Sequence, residues 1–297
     1  RHYLSMEYLD GQSLHRLIHR SNKQRPMPLA LHLRILIDML AGLHHAHELS
    51  DFDGTPLCVV HRDVSPHNVF VTYEGQVKVV DFGIAKAATG SSETKTGVLK
   101  GKLTYMAPEQ ARSGRVDRRA DLFSVGVMMW EAVTGKRMWQ DASEVQILHM
   151  LTTGEIPSAR AFGPDLPPPL EGILARSLAY SPRDRYETAI DFSADIERYM
   201  TTAGERASSR DLAEFTSTLF NDKRVEIRAL IERQLRGVSG SSSMSAPSLS
   251  SSSLPQLDAL NATGSSTHSH LLPAGVTGAG AFSLQHSSPR LDIPASL

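Results

Sequence analysis

The run ADLFSVGVMMWEAVTG, residues 120–135, is apolar on nearly every side. A helix of that kind needs enclosure by other elements, so it belongs at the centre of a domain. A second long helix is expected from Pro28 to about Leu49, where Leu33, Leu36, Ile37, Leu40, Leu43 and Ala46 recur at three- and four-residue spacing. That stripe means burial. His44, His45 and His47 lie on or beside it and read as ordinary helix histidines, because no acidic or cysteine partner follows at ligand spacing. Ser143 with Gln146 makes a capping box, the prolines at 167–169 set up another helix start, and YETAIDFSADIERYM is a further amphipathic helix.

The strand signals are short. YLSMEYL reads as a buried strand running into a turn at Asp10 and Gly11, after which SLHRLIHR makes a short amphipathic helix. CVVH, NVFVT and VKVVDF are three further β-rich runs, the last two joined through the hairpin-like turn YEGQ. Residues 83–101, rich in Thr, Ser, Lys and Gly, have no hydrophobic period and are too long for a simple connector, so a functional or mobile loop is expected.

With 40% hydrophobic residues over 297 positions, the chain can bury a sizeable core. Its 31 basic and 32 acidic residues balance, which points away from nucleic acid and anionic membranes as partners. The single cysteine, Cys58, lies in the apolar run LCVV; it excludes an intramolecular disulfide, argues against a cysteine metal site and fits a reducing cytoplasm. No apolar run approaches the roughly 18–20 residues of a membrane span, and no signal peptide opens the chain. The start RHYLSMEYLDG lacks Met and falls in mid-pattern, so a fragment is expected.

After about residue 200 the pattern changes. Residues 201–236 read as a helical extension of two helices, carrying Leu212, Phe215, Leu219 and Phe220, then Val225, Ile227, Leu230, Ile231 and Leu235, which could pack on the main domain or on a partner. Residues 237–297 are too rich in Ser, Gly and Pro to bury a core and read as a disordered tail. GVTGAG at 275–280 is no phosphate loop, having neither a preceding strand nor a following Gly-Lys-Ser/Thr, and the sequon at Asn261 lacks a secretory context.

The chemistry-bearing residues come in order. In HRDVSPHN, Asp63 is the candidate general base and Asn68, five residues on, offers an amide oxygen to a metal ion. Asp81 of DFG, at the end of an apolar strand, is the second candidate metal ligand; carboxylate and amide oxygens suit Mg²⁺. APE follows at 107–109. Phosphoryl transfer is mostly positioning and charge neutralisation, and these are the groups it needs.

In this order and at these separations the motifs of residues 1–200 resemble the large lobe of bacterial eukaryotic-type (Hanks-type) Ser/Thr protein kinases, from the hinge onward. The resemblance implies an α+β, protein-kinase-like fold: a mainly helical C-terminal lobe with short β-hairpins at the cleft. It also implies ATP and Mg²⁺ as cofactors and protein substrates. SMEYLDG resembles the hinge, which would put Met6 at the gatekeeper position, the backbones of Glu7 and Leu9 at adenine and Ser13 near the ribose. Asp121 resembles the aspartate that anchors the catalytic-loop backbone, with His61 structural in the same spine, and Glu109 with Arg185 matches a buried ion pair. Arg62 resembles the arginine that orders a phosphorylated activation loop, for which Thr94 and Thr96 are the candidate phosphosites, with Ser91 and Ser92 behind them.

Two positions depart from the family pattern. Ser65 stands where most Ser/Thr kinases carry a catalytic-loop lysine, and Lys102 stands where the activation segment carries threonine. The changes are reciprocal, so Lys102 is expected to restore the missing positive charge near the γ-phosphate with Ser65 as its hydrogen-bond partner. Pro66 and the absence of an Arg-rich catalytic loop favour Ser/Thr over Tyr as acceptor. Arg115, Arg118 and Arg119 read as a solvated basic face rather than a substrate-docking patch. No Gly-rich loop, strand lysine or helix glutamate occurs upstream, so the polypeptide alone is expected to bind ATP poorly and to be inactive. The competing readings are a pseudokinase scaffold, opposed by the intact Asp63, Asn68 and Asp81, and a small-molecule phosphotransferase, opposed by the complete segment ending in APE.

Overall fold

The computed structural model describes residues 7–82, 103–112, 114–163 and 165–240, with side chains described to residue 233. Met6, Thr94, Thr96 and Lys102 lie outside these residues, as do the loop at 83–101 and the tail from 241 on.

A small antiparallel sheet is made of β1 (Gly11–Ser13), β2 (Val69–Thr72) and β3 (Val77–Val79), in that spatial order. The β2–β3 hairpin is where the sequence places it. β1 was not expected: GQS has no alternating pattern, and its pairing of Gly11 with Thr72 and Ser13 with Phe70 depends on a strand distant in sequence. Gly11 permits that pairing, because a Cβ there would lie 2.2 Å from the Val71 carbonyl oxygen. Residues 7–9 of the expected strand YLSMEYL are not in a strand.

CVVH also departs from expectation. Among the described residues these positions join no strand, and Cys58 is exposed. Cys58 sits at φ 47, which breaks an extended run, and a carboxylate takes the amide of His61 instead of a neighbouring strand.

The helices are α1 (Leu14–Gln24), α2 (Leu29–His47), a short α3 (Pro108–Ala111), α4 (Arg119–Thr134), α5 (Glu144–Thr153), α6 (Pro168–Ser177), α7 (Ala189–Ala203), α8 (Ser209–Leu219) and α9 (Asn221–Gly240). Every residue of α4 from Ala120 to Trp130 is buried, so the all-round apolar run forms the centre of the domain. α2 lies against α4, α7 and β3, and its whole predicted stripe is buried. The Ser143–Gln146 capping box opens α5 as the sequence implies.

α8 closes on α1 and β2, burying Leu212, Phe215, Thr216 and Leu219. Its first turn meets the β2–β3 turn at Gly75, where φ is +81 and a Cβ would stand 1.8 Å from the Ser209 carbonyl oxygen. Ser217 Oγ donates to the Tyr73 carbonyl at 3.2 Å, and Arg20 pairs with Asp222 at 2.7 Å while its guanidinium covers the Phe220 ring. α9 differs: Val225, Leu230 and Ile231 remain exposed. No helix among the described residues is long and apolar enough to cross a membrane.

Candidate active site

The β2–β3 hairpin brings two candidate ligands together, since Asn68 precedes β2 and Asp81 follows β3. Val69 pairs with Val79, and the Val80 amide donates to the Asn68 carbonyl at 2.9 Å, which closes the open end of the hairpin. The Asn68 side-chain Nδ2 donates to the Asp63 carbonyl at 2.8 Å, which turns its amide oxygen away from the loop backbone. Asp81 is exposed and holds φ 59. These hard oxygens fit Mg²⁺. Among the described residues no group of three or more His, Cys, Asp or Glu could hold a metal, so an ion here would draw its other ligands from water and phosphate.

Asp121, 1% exposed, sets the loop between them. Its Oδ2 accepts the His61 amide and its Oδ1 the Arg62 amide, each at 2.8 Å. Two adjacent amides fork onto one carboxylate. Arg62 is thereby held at φ 64, a left-handed conformation that costs a non-glycine residue about 1–3 kcal/mol. The Gln110 side chain grips the same residue from α3, donating to the Arg62 carbonyl at 3.0 Å while its oxygen accepts the Ala107 amide.

His61 ties the loop to the strand. Its Nε2 donates to the Val80 carbonyl at 2.9 Å, its Nδ1 accepts the Asp63 amide at 3.3 Å, and its ring lies 4.5 Å from that of Phe82. The two bonds fix the Nε2–H tautomer. Asp63 is therefore oriented by the same imidazole that holds the strand running into Asp81.

His47 is the residue the sequence reading missed. Its Nε2 donates to Asp121 Oδ2 at 2.8 Å, both side chains being 1% exposed. Far from an ordinary helix histidine, it gives the buried carboxylate a third donor. Its place on the buried stripe of α2 was the only sequence signal, and Gln110 gave none beyond standing next to APE.

The other supporting positions fall where expected. Glu109 and Arg185 form a buried bidentate pair at 2.8 Å, and Arg185 also donates to the carbonyls of Ala179, Arg119 and Tyr180. The segment before APE is pinned too: Trp139 Nε1 donates to the Thr104 carbonyl, Ser124 Oγ to the Tyr105 carbonyl, and Tyr105 Oη to Glu131. Burial pushes the Tyr105 phenol far above its usual range, helped by the Glu131 charge, and burial likewise raises the Glu131 carboxyl.

At the other wall, Glu7 is exposed with its carboxylate 3.9 Å from Lys78 of β3, and Leu9 is half-buried. Ser13 Oγ accepts the Arg16 amide and caps α1. α1 then docks on the catalytic loop, the His15 amide donating to the Pro66 carbonyl at 2.8 Å and the His15 ring stacking 4.0 Å from His67. Ser65 is buried between these contacts, and its carbonyl accepts the Asn68 amide.

The family model of the protein kinase domain matches residues 1–195. The chain is 44% identical over 231 residues to the tyrosine-protein kinase MasK of Myxococcus xanthus, covering 77% of this chain and 36% of that protein. It is 34% identical over 196 residues to the serine/threonine-protein kinase PrkC of Bacillus subtilis, covering 66% and 28%. It is 36% identical over 195 residues to PknL of Mycobacterium tuberculosis, a serine/threonine-protein kinase, covering 66% and 46%. The chain thus spans less than half the length of each of these relatives. The crystal structure of the PknI kinase domain of M. tuberculosis superposes with a TM-score of 0.46 at 26% identity, covering 65% of this chain and 63% of that one.

Proposed function

Since the chain belongs to the protein kinase family, we propose that it carries the catalytic lobe of an ATP-dependent protein kinase acting on Ser or Thr hydroxyls of protein substrates in the cytoplasm. The observation that carries the reading is the convergence of Asp63, Asn68 and Asp81 on one closed hairpin end. Asp63 accepts the proton of the attacking hydroxyl. Asn68 and Asp81 hold Mg²⁺, which when bound supplies charge neutralisation at the transferred phosphoryl group. Glu7 and Leu9 present backbone to adenine, with Met6 and Ser13 beside it. In the intact kinase, Asp63→Asn should lower phosphate transfer to protein by orders of magnitude at unchanged folding; retained transfer would sink the reading.

Lys102 and Ser65 form the second part of the proposal, with Lys102 replacing the charge that other catalytic loops carry as lysine. Near-normal turnover of Lys102→Ala would refute it. Thr94 and Thr96 are proposed as phosphosites read by Arg62, to be checked by mass spectrometry of the active protein. The 297 residues contain no Gly-rich loop followed by a strand lysine, so this polypeptide alone is expected to turn over poorly.

The acceptor has a competing assignment. The 44% identity to a protein named a tyrosine kinase favours a tyrosine hydroxyl, whereas Pro66 and the similarity to PrkC and PknL favour Ser/Thr. Phosphoamino-acid analysis of the reaction product separates them: phosphotyrosine alone would overturn the Ser/Thr assignment. We also propose residues 1–200 as the kinase domain and 201–236 as an extension whose exposed Val225, Leu230 and Ile231 suit a partner; helix α9 of that extension runs on to Gly240, past the boundary expected at 236.

A further inference from the structure

The basic residues after APE read as a solvated face in the sequence, and Arg115 is indeed exposed while Arg118 and Arg119 are half-buried. Arg115, Arg118 and Arg119 line a cavity of about 800 Å³ together with Arg62 of the catalytic loop and Arg183 of the turn before α7. The cavity's acids are already committed. Glu48 pairs with Arg118 at 2.6 Å, the exposed Glu187 carboxylate lies 3.9 Å from the same guanidinium, and Asp117 is held by Arg119, whose guanidinium keeps its carboxyl below the ordinary range. Of the remaining arginines, Arg185 belongs to Glu109, and Arg176 lies over the Tyr186 ring with Asp195 at 3.8 Å.

That leaves Arg62, Arg115 and Arg183, all exposed, with no carboxylate partner among the described residues. Three separate segments thus aim uncompensated guanidinium groups at one concave site. Guanidinium is the group that binds phosphate bidentately and stays charged at every physiological pH. Val59, Val60 and Val116 add an apolar part to the cavity's lining. A volume of this size lies in the range that takes a drug-sized ligand, far more than one phosphate fills.

We propose that this cavity docks a phosphorylated segment of a protein substrate or partner, the phosphate held by Arg115 and Arg183 and the neighbouring side chains resting on the valines. The inference rests on the kinase reading for the word substrate, and on geometry alone for the phosphopeptide. Proteins that already carry a phosphate would be retained near the site, so the chain would favour substrates modified beforehand.

Cys58, the one cysteine of the chain, is exposed and lines the same cavity, which supplies a reporter. The rate at which an uncharged maleimide labels Cys58 is measured on the 297-residue chain. Four probes are compared: a degenerate phosphoserine peptide pool, its unphosphorylated counterpart, inorganic phosphate, and vesicles containing phosphatidylglycerol. The expected result is slowed labelling with the phosphopeptides alone, and about tenfold or more weaker protection in Arg115→Ala/Arg183→Ala. Circular dichroism of the variant checks that it is folded, and charge-reversed Arg115→Glu offers a second test on the same readout.

Equal protection by inorganic phosphate would reduce the site to a small-anion site, and protection by vesicles alone would assign it to a membrane surface; either overturns the proposal. So would no protection by any probe, or protection unchanged in both variants. The readout needs no turnover. Phosphate transfer with no protection therefore defeats only the docking site, whereas protection in a protein whose intact form transfers no phosphate defeats only the kinase reading.

Discussion

Replacing Asp121 by asparagine keeps the shape of the side chain and removes the charge that three donors share. In the native protein Oδ2 accepts the His61 amide and His47 Nε2, and Oδ1 accepts the Arg62 amide. Whichever way the new amide turns, its NH₂ faces at least one N–H donor. One buried N–H then goes unsatisfied, at about 1–3 kcal/mol, and the surviving bonds fall from charge-assisted to neutral strength, at about 0.5–1 kcal/mol each. Relaxation of Arg62 from φ 64 would return part of this by releasing strain, so the net loss should be about 3 kcal/mol. Urea denaturation followed by circular dichroism reads the stability, and amide hydrogen exchange at His61 and Arg62 reads the loop. A variant within about 0.5 kcal/mol of wild type, with exchange at Arg62 unchanged, would show that the fork does not hold the loop and would refute the reasoning.

Gly75→Ala should cost about 2 kcal/mol or more, because φ +81 disfavours a Cβ and the Ser209 carbonyl occupies its place; proteolysis should then cut the chain near 205–209 before other sites, and uncut protein would count against the α8 contact. Arg185→Met strands a Glu109 side chain that is 6% exposed and should cost about 3–5 kcal/mol, much of it recovered in Glu109→Leu/Arg185→Met; an additive double variant would contradict the pairing. Burial lowers His32 to about 4 from an unfolded value of 6.5, so the unfolded chain takes up the proton first. Its contribution is complete above about pH 6.5 and is lost as pH falls toward 4, about 3 kcal/mol in all, and His32→Gln should flatten that part of the stability–pH curve.

The helical frame was legible because its signals are local. A run from Ala120 to Trp130 that is apolar on nearly every side forces burial wherever it folds, and the 3.6-residue stripe of α2 names its own inner face. The sheet was less so. NVFVT and VKVVDF with a turn between them specify a hairpin without help, whereas β1 exists only because Gly11 lets its backbone approach Val71. CVVH carries the β-branched residues of a strand, yet its composition says nothing of a residue 60 positions away whose carboxylate takes the His61 amide.

The same distinction divides the site. The placement of Asn68 and Asp81 at the two sides of one hairpin end was readable because NVFVT and VKVVDF with a turn between them fix that spacing. His47 and Gln110 were not, because a supporting residue is defined by what it reaches, and histidine on a buried stripe has many uses. Arg62 at φ 64 and Asp81 at φ 59 show why such support is needed. Neither conformation is one the local sequence favours, and each persists only while its surroundings over-determine it. For Arg62 these surroundings are Asp121 from α4 and Gln110 from α3; for Asp81 they are the hairpin closure at Val80 and the His61 bond to the same residue. Since the Asp121 carboxylate that holds Arg62 also accepts the His61 amide, and the His61 ring bonds both Asp63 and Val80, the loop bearing Asp63 and the strand bearing Asp81 cannot relax independently, and a change in the α4 core is felt at the cleft through one imidazole.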